Sequence, residues 1–491
     1  MPTRIRTTRG GDRVRSAARP PSGLLDGVVA REPFDEALEA IRAELQLPDG
    51  FPPEVLAAAE AAVADPRLPA ADLRDLELFT IDPPGATDLD QAMHLERLGG
   101  GYRVHYAIAD VPAFVQPGSP VDDEARRRGQ TLYAPDRRVP LHPKAISEGA
   151  ASLLPGQDAP AFVWVFDLDA DARTSAVRVQ RAMVRSRAQL DYESVQAQLD
   201  AGTAVEALKL LREVGGKRIE LERERGGAAL AIPDQEVVQH PDGYELRLRP
   251  PVPVEGWNAQ ISLMTGMAAA GLMVDGAVGL LRTMPAPDAA TLKRFRLQAV
   301  ALGVSWPADM DYQDFLRSLN PQHPQHLALL HESASLFRGA AYTPVLGTVP
   351  EQLEQAAVAA PYAHVTAPLR RLVDRFGLLV CEALCRGEQP PDWVVEALPQ
   401  LPEIMRESDR RAGALERDVV DAAEAAALAG HVGASFPAVV VDVSDNGGGG
   451  LVQVTSPPVL GRCDGVLELG EQVQVRLVEA DPVARKVRFE L

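Results

Sequence analysis

Three carboxylates fall within nine residues of the segment Ile81-Asp82-Pro83-Pro84-Gly85-Ala86-Thr87-Asp88-Leu89-Asp90-Gln91-Ala92. Pro83, Pro84 and Gly85 can turn the chain after a strand ending at Ile81, so that Asp82 faces Asp88 and Asp90 across a loop. In extended backbone Asp88 and Asp90 point to one side, because strand side chains repeat every two residues. Like charges grouped this closely cost free energy unless a cation sits among them. Mg²⁺ suits such a group: it takes oxygen ligands, keeps several waters and binds through few carboxylates plus substrate phosphate. A site of this kind activates water and stabilises both oxygens of an in-line phosphoryl displacement. The same spacing also fits a solvated acidic loop.

The surrounding elements must position these residues. Leu76 to Ile81, Tyr102 to Ile108 and Ala161 to Leu168 read as strands. Beyond about residue 190 helical stretches dominate, including Val205 to Arg225 and Thr291 to Leu302, and a charged, Ala-rich helix runs from about 400 to 428. Ala438 to Val443, Gly450 to Val454, Val473 to Leu477 and Val487 to Leu491 then alternate or run apolar, with Asp445-Asn446-Gly447 as hairpin turn chemistry. Several short strands at this spacing predict a small β-barrel of OB type. Before residue 76, Pro33 to Leu47 and Pro52 to Val63 read as two helices around the turn Leu47-Pro48-Asp49-Gly50. They predict a small helical domain, either a plain hairpin or a helix-turn-helix. Arg4, Arg6, Arg9, Arg13, Arg15 and Arg19 make residues 1–30 a flexible basic arm.

The 491 residues suffice for about three domains, and 24% charged with 46% hydrophobic residues is a globular balance. No uncharged apolar run is long enough for a membrane span. Three cysteines, two of them four apart in a helical stretch, read as reduced core thiols, and no signal-peptide core follows the N-terminus. The expectation is a cytoplasmic protein without membrane contact. The net charge of −19 argues against a protein coated in positive potential. It leaves room for an enzyme that confines its basic residues to a channel. Arg126-Arg127-Arg128, Arg137-Arg138 and the same-parity Arg181, Arg185 and Arg187 are the runs that could grip phosphates.

The segment Ile81 to Ala92 resembles the signature of the RNase II/RNB exoribonucleases, an Asp, then a turn, then D-x-D-D-A. Ala107-Ile108-Ala109-Asp110-Val111 is similar to that family's H-I-A-D-V. Leu132-Tyr133-Ala134-Pro135, Leu141-His142-Pro143 and Ala151-Ser152-Leu153 continue the likeness. Tyr362-Ala363-His364-Val365-Thr366-Ala367-Pro368-Leu369-Arg370-Arg371 looks like Y-x-H-x-T-S-P-I-R-R, and the C-terminal strands look like the closing S1 domain. Asp88-Leu89-Asp90 alone also echoes the D-x-D of haloacid-dehalogenase-type phosphatases, but Pro83-Pro84-Gly85 does not fit the buried strand that precedes it there.

The resemblance implies an α+β architecture: a large mixed α/β RNB-like catalytic domain over 76–428, with the helical domain at 31–75 before it and an S1-like OB-fold barrel at 429–491 after it. It implies hydrolytic 3′→5′ degradation of single-stranded RNA to nucleoside 5′-monophosphates by a monomer, with Mg²⁺ (or Mn²⁺) as cofactor. Asp82, Asp88, Asp90 and Gln91 then match the metal positions, with Asp90 and Arg370 catalytic. Tyr133 matches an aromatic that stacks on a base, Arg371 a residue serving structure or a neighbouring phosphate, and Gln260 a Glu that contacts the terminal sugar. Gln91 stands where the family usually has Asp, which leaves a lapsed RNA-binding protein as the alternative. The residues before 76 are too few for the family's usual cold-shock domains.

Overall fold

The computed structural model describes residues 28–29, 31–228, 234–240, 243–320, 323–444 and 448–491. The basic arm, apart from Val28 and Val29, and the Asp445-Asn446-Gly447 turn lie outside the described residues.

Two closed five-stranded barrels organise the chain. The first is built from Leu78–Ile81, Gln91–Leu98, Gly101–Ala109, Asp158–Leu168 and Thr174–Leu190. Its neighbours are antiparallel except at the closure, where Leu78–Ile81 runs parallel to Thr174–Leu190. Leu78–Ile81, Gly101–Ala109 and Asp158–Leu168 are buried on both faces, so these three read as apolar runs rather than clean alternations. Tyr106, Phe162, Trp164 and Phe166 lie in one core cluster with the helices Glu206–Glu224, Pro253–Asp275 and Leu372–Cys385. Ala107, Ala109, Ala161, Val163 and Val165 face the other way, beside Leu89 and Val111. Three of the barrel strands follow the expected segments. Gln91–Leu98 is the less visible one, because His94, Glu96 and Arg97 interrupt its apolar pattern.

The second barrel comprises Ser435–Val443, Gly449–Thr455, Pro458–Asp464, Gln472–Asp481 and Lys486–Glu490. Its first strand pairs with the second and the fourth, and the third runs parallel to the fifth. This is the OB-type, S1-like barrel expected from the sequence. Its two phenylalanines, Phe436 and Phe489, meet edge to face inside the core, so neither is available to stack on a base.

The 28-residue helix Leu401–Leu428 spans about 42 Å at 1.5 Å per residue. It packs along the second barrel and reaches the hairpin Leu132–Tyr133/Arg138–Val139 of the catalytic region. The helices Arg31–Glu44 and Pro53–Ala64 form as expected but do not build one helical unit. Phe34, Ala37, Leu38 and Ile41 join the core of the long helix and the second barrel, and Arg485 pairs with Glu44 at 2.8 Å. Val55 and Ala59 instead join the core of the first barrel. Arg128 sits over the Phe51 ring at 3.8 Å and donates to the Gly50 carbonyl. That pins the intervening turn to the catalytic region. Apolar periodicity shows that a helix face is buried, not what covers it.

The three cysteines carry free thiols, Cys381 and Cys463 fully buried. Among the described residues no helix is long and apolar enough to cross a membrane.

Candidate active site

The acidic segment lies where strand Leu78–Ile81 ends and Gln91–Leu98 begins. Asp82 is held at the strand end by its N–H donating to the Leu190 carbonyl at 3.0 Å. The chain then turns through Gly85, whose φ of 78° is the left-handed conformation that favours glycine. Leu89 is fully buried and anchors the segment. Its N–H donates to Ser152 Oγ at 2.9 Å, that hydroxyl donates to the Thr87 carbonyl at 2.8 Å, and Leu153 N–H donates to the Leu89 carbonyl at 3.0 Å. On either side of Leu89, Asp90 is buried and Asp88 is partly exposed.

Asp90 is buried. Its Oδ1 accepts the Leu369 N–H at 2.7 Å, and its Oδ2 lies 3.5 Å from Arg370 Nε. Burial pushes its carboxyl well above the usual range, and the Arg370 charge and the Leu369 N–H work against that rise. Asp82 presents a buried Oδ2 with no protein partner. Burial, helped by the nearby Asp88 charge, pushes its carboxyl up to about 6. An unpartnered buried carboxylate oxygen carries a desolvation cost that a cation would remove.

Asp88 is engaged differently. Arg138 Nη1 meets its Oδ1 at 2.5 Å, and the Tyr133 hydroxyl donates to its Oδ2 at 3.3 Å. The other arm of Arg138 reaches Thr87 Oγ1 at 2.7 Å and Glu148 at 2.9 Å. Gln91 is also committed: its amide donates to the Thr366 carbonyl at 2.5 Å and accepts from the Tyr106 hydroxyl at 3.0 Å. Tyr106 in turn shares a 2.6 Å hydrogen bond with Ser262. Among the described residues, no three acidic, histidine or cysteine side chains converge as metal ligands. The sequence grouped Asp82, Asp88, Asp90 and Gln91 as one ligand set. Of the four, Asp82 is the one with a buried oxygen that the protein leaves without a hydrogen bond, and Asp90 is the one addressed by Arg370.

The second motif is carried by a turn entering helix Leu372–Cys385. Arg370 and Arg371 are adjacent but differ in exposure. The Arg370 side chain is 40% exposed and points towards Asp90, whereas Arg371 is 15% exposed and makes a two-armed contact with Asp374. Asp374, fully buried, also accepts the Ala367 N–H at 2.7 Å. Arg371, expected to serve structure or a neighbouring phosphate, braces the turn that presents Arg370. Gln260, expected near the terminal sugar, is engaged within the protein. It is 2% exposed, within helix Pro253–Asp275, and its amide donates to Glu222 on the neighbouring helix. Tyr133 does reach the site, opposite Arg138 in the short hairpin, where burial and then the Asp88 charge hold its phenol protonated.

Most of the basic runs are spent internally. Arg126 pairs with Asp122, Arg127 and Arg128 with Glu124, Arg181 with Asp110 and Arg185 with Asp158. Ser152, Glu148 and Tyr106 are site residues that no spacing rule finds, because their partners lie far along the chain. The role of Arg138 is likewise hidden: its partner Asp88 is 50 positions away.

Comparison with known proteins gives the family. The family model of the RNB domain matches residues 70–381, and that of the RNase II-type exonuclease C-terminal S1 domain matches residues 434–491. The chain is 26% identical to Ribonuclease R of Escherichia coli, over 86% of this chain and 57% of that protein. Its fold is similar to the apo form of Mycoplasma genitalium RNase R with a TM-score of 0.82 at 18% identity, covering 94% of this chain and 78% of the other. It is also similar to yeast Ssd1, described as a pseudonuclease, with a TM-score of 0.65 at 17% identity, covering 90% and 57%. The chain spans between 34% and 62% of the length of three of the curated relatives it matches. With the RNB model matched across well over half its length, the chain belongs to the RNB family of RNase II-type proteins.

Proposed function

We propose that the chain is a hydrolytic 3′→5′ exoribonuclease that degrades single-stranded RNA to nucleoside 5′-monophosphates. The observation that carries this reading is the junction of the two motifs. The Leu369 N–H and the Arg370 side chain both address the Asp90 carboxylate. A half-exposed guanidinium beside buried carboxylates suits a reaction in which negative charge builds on phosphate oxygens. RNA as substrate is supported by Mycoplasma genitalium RNase R, which is known in complex with ribose-methylated single-stranded RNA.

Asp82 and Asp90 are the residues that would hold a divalent cation, Mg²⁺ or Mn²⁺. Bound there, the ion would supply Lewis acidity and a water more easily deprotonated than in bulk. The orphaned Oδ2 of Asp82 fits that assignment. Arg370 would contact the scissile phosphate as a planar fork of fixed charge. Tyr133 offers a ring beside the reacting end on which a terminal base can stack without sequence preference. Ser152, through Leu89 and Thr87, keeps the acidic segment in register while RNA moves past it.

The test incubates purified protein with 5′-labelled RNA in Mg²⁺ or EDTA. A ladder shortening from the 3′ end in Mg²⁺ alone is expected, and Asp90→Asn should abolish it while single-stranded RNA still binds. Wild-type turnover by Asp90→Asn would overturn the site. An inert wild type that binds RNA would give the lapsed reading, which Gln91 motivates and the intact Asp82, Asp90 and Arg370 oppose.

A further inference from the structure

Arg138 stands out among the basic residues because its fork is directed into the acidic segment. One arm contacts Asp88 at 2.5 Å; the other contacts Thr87 Oγ1 at 2.7 Å and Glu148 at 2.9 Å. The side chain is 26% exposed, with Asp88 at 14% and Glu148 at 17%, so the contacts are largely shielded from water. The hairpin Leu132–Tyr133/Arg138–Val139 fixes its base, and Tyr133, directly opposite, contacts the other oxygen of Asp88. Asp88 therefore has both oxygens engaged by the protein. Gln91, in the position next to Asp90, brings no charge and directs its amide at Thr366 and Tyr106.

The charge balance is informative. Asp82, Asp88, Asp90 and Glu148 face Arg138 and Arg370. With all four carboxylates ionised, as they would be around a bound cation, four carboxylates and two guanidiniums leave two negative charges, the charge that one divalent cation neutralises. A second such ion beside Asp88 would meet the guanidinium at close range, and like charges at that distance oppose each other.

We propose that Arg138 is a built-in cation of this site: it holds Asp88 in place of a metal ion, so that the chain takes one divalent cation, on Asp82 and Asp90, rather than two. Arg138 is thus a positioning residue acting through Asp88. The inference rests on the reading of the acidic segment as a metal site.

The experiment counts bound Mn²⁺ on the EDTA-stripped full chain by calorimetry and by electron paramagnetic resonance. Ions are counted as the difference from Asp90→Asn, which removes the site. Wild type should bind one Mn²⁺. Arg138→Gln frees Asp88 and removes a neighbouring positive charge. It should take a second Mn²⁺ or bind the first more tightly by about one order of magnitude or more, the scale of one close charge. Arg138→Lys, which keeps the charge, should stay at one ion. Two site-specific ions on wild type, or an Arg138→Gln titration superimposable on wild type, would overturn the proposal while leaving the metal site standing. No site-specific Mn²⁺ on wild type would overturn the metal reading itself, and this proposal with it. The wild-type count decides on its own if Arg138→Gln does not fold.

Discussion

The backbone N–H of Leu369 donates to Asp90 Oδ1 at 2.7 Å across 279 residues of sequence. This hydrogen bond joins the two motifs. It ties the acidic segment to the turn that carries Arg370, so the buried carboxylate and the half-exposed guanidinium are brought together without substrate. Preorganised charge of this kind acts on the transition state at no reorganisation cost.

The first consequence concerns Arg370. Among the described residues its one ion pair is the 3.5 Å approach to Asp90, and it is 40% exposed, so removing it leaves the fold largely intact. Arg370→Ala should lower the hydrolysis rate by about 10²–10³, the usual loss for a group placed where charge develops. RNA affinity should change little, since one phosphate contact among many carries a small share of binding. Single-turnover rates beside equilibrium binding by fluorescence anisotropy check this. Equal losses in both would make Arg370 a plain phosphate anchor.

Arg371 should behave in the opposite way. It makes two contacts with the fully buried Asp374, which also holds the Ala367 N–H. Arg371→Ala would strand that carboxylate, and breaking a buried pair costs about 3–5 kcal/mol. Urea denaturation should show that loss, while RNA affinity per folded molecule stays near wild type. A stable Arg371→Ala protein with weakened RNA binding would return Arg371 to the RNA surface.

Tyr133 separates two effects at one side chain. Tyr133→Ala loses a stacking partner, worth about 1–3 kcal/mol per base. The loss matters most when few nucleotides remain bound, so the shortest RNA product should lengthen. Tyr133→Phe loses just the 3.3 Å hydrogen bond to Asp88 and should keep the wild-type ladder. Sequencing gels of the limit products distinguish the two variants; an unchanged ladder for Tyr133→Ala would reject stacking.

How much of this was legible in the sequence follows from the range of each interaction. The closeness of Asp82, Asp88 and Asp90 along the chain is local, so the acidic segment itself was readable. The apolar strands near 76–81, 102–108 and 161–168 and four of the five strands of the second barrel were readable for the same reason; Pro458–Asp464, broken by Gly461 and Arg462, was not. Strand Gln91–Leu98 was obscured by its polar outer residues. The split of helices Arg31–Glu44 and Pro53–Ala64 between two cores was hidden, because periodicity names a buried face and not its partner. The clamp of Arg138 on Asp88 and Glu148 was hidden as well: a run of arginines looks alike whether it meets RNA or a carboxylate of its own chain. Arg370 and Arg371 are adjacent and chemically identical in sequence, and only the turn geometry sends one to Asp90 and the other to Asp374.

Gln91 gives the sharpest contrast between motif and geometry. Set against the family pattern, Gln91→Asp should restore a missing charge and lower the Mg²⁺ needed for half-maximal hydrolysis. The structure predicts otherwise. The Gln91 amide is a donor to the Thr366 carbonyl and an acceptor for the Tyr106 hydroxyl. Aspartate has no donor and is one methylene shorter. The Thr366 carbonyl would lose its partner in a residue that is 5% exposed, a loss of about 1–3 kcal/mol for a buried polar group left unsatisfied. Gln91→Asp should therefore unfold at lower urea concentration, with no fall in the Mg²⁺ requirement. Gln91→Glu, which keeps the length and loses just the donor, should also destabilise. Urea denaturation and Mg²⁺ titration of the three proteins check this together. An unchanged urea midpoint combined with a lower Mg²⁺ requirement in Gln91→Asp would place residue 91 at the metal after all.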